Sequence, residues 1–200
     1  LRNLGIIDSC VKLIKKHRGL DIDIDQVPLD DNKTYDELCK GNCAGIFQLE
    51  SSGMRQLMLQ MQPRNVQDIM ALISLYRPGP MGSGMDKEYT DRKHGRSKIK
   101  YDHEKLEKVL SPSLGIMLYQ EDVLGVSREL AGFTSAEADD LRKAIGKKLM
   151  DKIANIRTKF VDGCIKTSGI DEKLANKIFS DIEYFGGYGF NRAHAASYAM

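Results

Sequence analysis

The sequence has no long apolar run, no cysteine framework and almost no net charge. Its apolar stretches fall short of the ~18 residues that a membrane-crossing helix needs, and no signal peptide opens the chain. Its cysteines, Cys10, Cys39, Cys43 and Cys164, are scattered. A disulfide-built domain of this size uses more of them at tighter spacing, so a reducing cytoplasm is the expected setting. A formal charge of +2 excludes a chain that coats nucleic acid by bulk charge.

Metal-ligand spacing is also missing. Cys39-Lys40-Gly41-Asn42-Cys43 has no second Cys/His pair at finger spacing, so two partly buried thiols are expected there rather than zinc. Asp21, Asp23 and Asp25 alternate as in a calcium loop. Gln26 and Asn32, however, stand where such a loop has its glycine and glutamate. "YQED" holds polar groups able to turn inward, but nothing supplies a nucleophile, base and orienting group together.

What is present is the composition of an ordinary soluble protein, long enough for one domain with a core or two small ones. Leu4, Ile7, Val11 and Ile14 repeat at helical spacing, and most later segments share that rhythm, so the fold class is mainly α. "GIFQLE" is the best candidate for one of a few short strands. Ser51 or Ser52, Asn65, and Thr134 or Ser135 can cap helices, with Glu137 near a capping-box position. Arg77-Pro78-Gly79-Pro80-Met81-Gly82-Ser83-Gly84 reads as a shaped loop outside regular structure. The sequence starts and stops in helical rhythm, so both ends are expected to be cut from a longer chain.

Three stretches gather basic residues. Arg92 to Lys100 holds Arg92, Lys93, Arg96, Lys98 and Lys100 and no acid; it is either a solvated loop or a phosphate contact. In "DDLRKAIGKK", residues 139–148, Ala138, Leu141 and Ile145 share the core face of a helix. Asp139, Lys143 and Lys147 are spaced for self-pairing on the opposite face. Arg142 sits at the edge of the apolar stripe, where packing can aim its guanidinium at phosphate oxygens. In "GGYGFNRAH", residues 186–194, Gly186 and Gly187 can end a helix with a left-handed cap, and Asn191 can start the next. That stretch is either a plain joint or an anion site at a helix N-terminus, with Arg192 and His194 in its first turn.

"IFQLESSGMR", "LYRPGPMGSGM", "DRKHGR", "GIMLYQEDV", "DLRKAIGKK" and "GGYGFNRAHAASYA" occur in this order. Together they resemble the C-family polymerases, the alpha subunits of bacterial DNA polymerase III, over essentially the whole chain. The resemblance implies that residues 1–200 are a multi-helix fingers domain, with residues 1–20 the helix leading out of the palm. It implies a DNA-directed DNA polymerase as the full-length subunit, whose fingers orient the incoming deoxynucleoside triphosphate and adjacent template for transfer to the primer 3′-hydroxyl.

Two Mg2+ ions would be held by palm aspartates outside this segment, so neither a catalytic nor a metal-binding residue is expected within it, and Asp8 is not one of those aspartates. The triphosphate would meet Arg142, Lys143, Asn191, Arg192, His194 and Arg77. Lys143 stands where arginine is frequent and Arg192 where lysine is. Arg92, Lys93 and Arg96, with Lys147, would touch DNA phosphates or lie on an outer face. Implied partners are template-primer DNA, the nucleotide, the sliding clamp and other replisome subunits, in the bacterial cytoplasm and without a membrane. The alternative is a non-catalytic helical module that binds nucleic acid or a partner protein.

Overall fold

The computed structural model describes residues 2–200, which divide into two compact units meeting at Asn65 and Val66. Among the described residues there are twelve α-helices and no β-sheet. The mainly α class is therefore observed, and the expected short strands reduce to one isolated parallel bridge, Tyr119 with Phe190.

The first unit holds α1 (Arg2–Arg18), α2 (Asn32–Cys39) and α3 (Ser52–Met61). The apolar stripe of α1 is read correctly as helical, yet no residue of α1 is buried. Asp31 caps α2 and Ser51 caps α3 through side-chain oxygens that accept first-turn N–H groups. Cys39 and Cys43 are both buried; the Cys39 thiol faces the Pro63 carbonyl at 3.3 Å. "GIFQLE" is a run of turns and not a strand. Gly45 and Gln48 have φ of 78° and 63°, which breaks any extended path, and Ile46 and Leu49 bond back to Cys43 and Ile46 at 3.1 Å. Leu49 alone is buried; Ile46 and Phe47 face outward.

The second unit comprises α4 (Val66–Leu75), α5 (Pro78–Gly82), α6 (Met85–Lys93), α7 (Lys105–Leu110), α8 (Gln120–Ala131), α9 (Ser135–Gly146), α10 (Met150–Ser168), α11 (Glu172–Gly186) and α12 (Arg192–Ala199). Its core gathers Leu130, Leu141, Phe160, Cys164, Phe179 and Ile182. Phe160 packs edge-on to Phe133, with centroids 5.9 Å apart, and tilted on Phe179 at 5.3 Å. Helix α10 lies against both α8 and α11, and α12 lies along α4. Apolar around most of its circumference, α4 is buried from Asp68 to Leu75.

The Arg-Pro-Gly-Pro stretch corrects the loop reading: Pro78 to Gly82 form a short helix. Pro78 and Pro80 occupy its first and third positions, where no intrahelical N–H bond is required, so neither proline costs a bond. Thr134 and Glu137 form the expected capping box at α9, with bonds of 2.8 and 3.3 Å.

Helix α10 approaches α8 closely at Gly163, where an added Cβ would run into the carbonyl oxygen of Ala131. Backbone cannot move aside as a side chain can. Gly163→Ala should therefore cost about 1–3 kcal/mol through overpacking, read as a lower urea midpoint with unchanged m-value; an unchanged midpoint would refute the close packing.

Candidate functional site

Of the residues singled out in the sequence, Arg77, Arg142, Asn191 and Arg192 come together around the start of α8 and the segment bridged to it. Gln120 N–H donates to Phe190 O at 2.9 Å, and Phe190 N–H donates to Leu118 O at 3.1 Å. This bridge lays the "YGFN" segment against "LYQED". Gly189 permits it, because a Cβ there would meet the backbone N of Gln120 at 3.3 Å. The left-handed cap expected at Gly186 and Gly187 is absent. Gly186 is helical and Gly187 has φ −67° and ψ −20°. Space is what Gly186 supplies: a Cβ would sit 3.3 Å from Ile145 of α9 and 3.6 Å from Val123 of α8.

Asn191 caps α12 as expected, its Oδ1 accepting the His194 N–H at 2.8 Å. The N-terminus of α12 already has an anion. Glu121 Oε2 accepts the Arg192 backbone N–H at 3.0 Å, and Oε1 accepts from Asn191 Nδ2 at 3.1 Å. The Arg192 guanidinium lies over the Tyr119 ring, 5.6 Å from its centroid. His194 is exposed and sits between Phe190 and Tyr198, tilted to both rings, with centroids 5.4 and 4.5 Å away.

On α9 the wheel assignment is correct: Ala138, Leu141 and Ile145 are buried. Arg142 Nε and Nη2 donate to Asp139 Oδ1 at 2.9 and 2.7 Å, and Lys143 Nζ pairs with Oδ2 at 2.7 Å. Those two cations, Lys143 first, hold the Asp139 carboxyl below the usual carboxylate range. Arg142 Nη1 reaches toward Gln120 Oε1 at 3.5 Å. Gln120 and Glu121 thus link α9 to α12.

Arg77 is spent on the architecture. Its Nε donates to Ser74 O at 2.9 Å, its Nη2 to Tyr188 O at 2.5 Å, and its guanidinium lies 4.8 Å from the Phe190 centroid. Two members of the basic run also turn inward. Arg92 bonds Glu88 at 2.7 Å and the Leu114 carbonyl at 2.8 Å; Lys93 reaches the buried Asp68 at 2.8 Å. Neither therefore lies on the outer face. Arg96, paired with Asp91 at 2.7 Å, and Lys147 do.

Sequence reasoning missed Gln120 and Glu121 as organisers; the only signal was the polar run "YQED". Its Asp122 does turn inward. It is 4% exposed, and Oδ2 accepts the Leu118 and Tyr119 N–H groups at 2.9 and 2.8 Å. Burial pushes its pKa up from 3.8 to about 6 despite those bonds. Burial likewise raises the Tyr119 phenol.

These carboxylates do not suit a metal ion. Asp139 is taken by two cations, Glu121 by a helix N-terminus and Asp122 by buried amides. Among the described residues no cluster of three or more His, Cys, Asp or Glu has ligand geometry. No described helix is long and apolar enough to cross a membrane. A cleft of about 360 Å³ between Tyr101, Ile116, Ile178 and Phe185 involves neither Arg142 nor Asn191.

Fold and site define a class: a helical domain that gathers cations and a helix N-terminus around one backbone bridge. The chain belongs to the bacterial DNA polymerase III alpha subunit finger domain family, whose model matches residues 3–168. It is 44% identical over 209 aligned positions to DNA polymerase III subunit alpha of Escherichia coli (strain K12), covering 100% of this chain and 18% of that protein. The Pseudomonas aeruginosa protein of the same name gives the same figures. That of Aquifex aeolicus is 43% identical over 198 positions, 99% of this chain and 17% of that protein. The chain therefore spans less than a fifth of these relatives. Residues 169–200, with α12, lie beyond the family match but within the pairwise one.

The Asp122 shift gives a signed prediction. The folded state keeps the proton between about pH 4 and 6 while the unfolded state releases it, so this group's stabilisation is lost as pH rises through that window. Relative to Asp122→Asn, the wild type should lose up to about 3 kcal/mol across it, at 1.36 kcal/mol per pKa unit. Urea unfolding of both proteins from pH 4 to 7 checks this; parallel stability curves would refute it.

Proposed function

We propose that this chain is the fingers of a bacterial replicative DNA polymerase, and that it binds and orients the triphosphate of the incoming deoxynucleotide. One observation carries the reading. The Tyr119–Phe190 bridge joins the α9 segment bearing Arg142 and Lys143 to the N-terminus of α12, through Gln120 and Glu121. A triphosphate tail bears about four negative charges, and fixed donors aimed at developing charge are a large part of phosphoryl-transfer catalysis. Arg142 offers a planar fork, Lys143 a point charge, and the start of α12 its first-turn N–H groups with Asn191 and Arg192 beside them. His194 presents an exposed ring at the same edge. Arg77 acts one step removed, by holding the Tyr188 carbonyl and the Phe190 ring in place.

On this reading residues 1–200 are one functional fingers region, with residues 1–20 the lead from the palm. Two Mg2+ ions, held by aspartates outside these residues, would supply the clamp on attacking and leaving oxygens. Template-primer DNA is the second substrate, and Arg96 and Lys147 face outward where its phosphates could be met. The sliding clamp and other replisome subunits would be partners of the full-length protein in the cytoplasm. A non-catalytic binding module has no specific observation in its favour.

The test is Arg142→Ala in the full-length protein, assayed on primed DNA. Arg142 is a partly exposed side chain, so the fold should persist. The specificity constant for the nucleotide should fall by the equivalent of about 2–4 kcal/mol, the loss of one charged contact in the transition state. Unchanged KM and kcat would sink the assignment.

A further inference from the structure

Several donors assigned above to the triphosphate, on α9 and at the start of α12, are already held by carboxylates of this chain. Asp139 takes Arg142 and Lys143, and Glu121 takes the Arg192 N–H and the Asn191 amide. We infer that Glu121, seconded by Asp139, is a displaceable stand-in for the polyphosphate, setting the donors at anion distance until the ligand replaces it. This rests on the triphosphate reading of the site.

The geometry supports exchange. A carboxylate presents two oxygens to its donors, as a phosphate presents its non-bridging oxygens, and the contacts of 2.7–3.1 Å span ordinary hydrogen-bond distances, with the Arg142–Asp139 bond at charge-assisted length. Both carboxylates can leave. Asp139 is 35% exposed at its side chain and Glu121 is part-exposed, whereas the neighbouring Asp122 is 4% exposed and fixed to two amides. Glu121 also has somewhere favourable to go. It sits in the first turn of α8, so a carboxylate swung into water there still meets the positive end of that helix. Part-exposed carboxylate contacts are weak, whether the Asp139 ion pairs or the Glu121 bonds to neutral donors, so a ligand that brings several charges at once can replace both carboxylates. Glu121 is thus a residue that sets nucleotide affinity by competing for the site, not by contacting the nucleotide.

The test uses the full-length polymerase on primed DNA, with Glu121→Gln, Asp139→Asn and Arg142→Ala. The glutamine keeps an acceptor for the Arg192 N–H and removes the competing charge. Glu121→Gln should lower the nucleotide KM about two- to five-fold, the scale of removing one part-exposed competing charge. It should lower the inhibition constant of inorganic tripolyphosphate, which has neither base nor sugar, by a similar factor. Asp139→Asn should act in the same direction.

An unchanged or raised KM in Glu121→Gln would overturn the inference and make Glu121 a fixed positioner of α12. So would a lower nucleotide KM without a lower tripolyphosphate constant. Arg142→Ala separates the two levels. If it leaves the nucleotide KM and kcat untouched, the triphosphate reading itself fails. If it impairs both while Glu121→Gln does not tighten binding, only the stand-in role fails.

Discussion

The candidate site depends on two backbone hydrogen bonds, at 2.9 and 3.1 Å, that lay Phe190 alongside Tyr119. Among the described residues no strand extends the pair into a sheet, and bonds of this kind contribute only about 1 kcal/mol each. The pairing persists because other contacts have already fixed both sides. Asp122 ties down the amides of Leu118 and Tyr119. Arg77 holds the Tyr188 carbonyl and the Phe190 ring. Gly189 keeps the gap to Gln120 clear. Each restraint removes backbone freedom that the bridge would otherwise have to remove itself.

Local features of this arrangement were legible in the sequence. Thr134 and Glu137 lie three residues apart and find one another wherever the helix forms. Asn191 and Ser51 cap for the same reason, and the buried side of α9 follows from the helical repeat alone. Failures came where the answer lay elsewhere in the chain. "GIFQLE" has strand-like residues but no partner strand, and its backbone turns at Gln48. The glycines before Tyr188 do end α11, but without the left-handed cap their type suggests, and Gly186 answers to Ile145 and Val123, which no local pattern can reveal.

Basic residues show the limit most clearly. In sequence, Arg92, Lys93 and Arg96 are equivalent members of one charged run. In space, Lys93 closes an ion pair with buried Asp68, Arg92 braces the Leu114 carbonyl, and Arg96 stays on the surface. The family resemblance identified the region without sorting these roles. Adjacent acids diverge in the same way: Glu121 is part-exposed and bound to the start of α12, while Asp122 is buried with its pKa raised to about 6.

The pairing of Arg142 and Lys143 with Asp139, and of the α12 N-terminus with Glu121, also bears on selectivity among anions. A bare cluster of cations would attract chloride, sulfate and nucleic-acid phosphates alike. Here those charges are answered internally, so on the proposed triphosphate reading the cluster would project less field into solvent and a single small anion would gain little by binding. On the same reading, only a ligand with several linked charges would recover enough, at both carboxylates at once, to take their places. Charge balance would then work as a filter on valence.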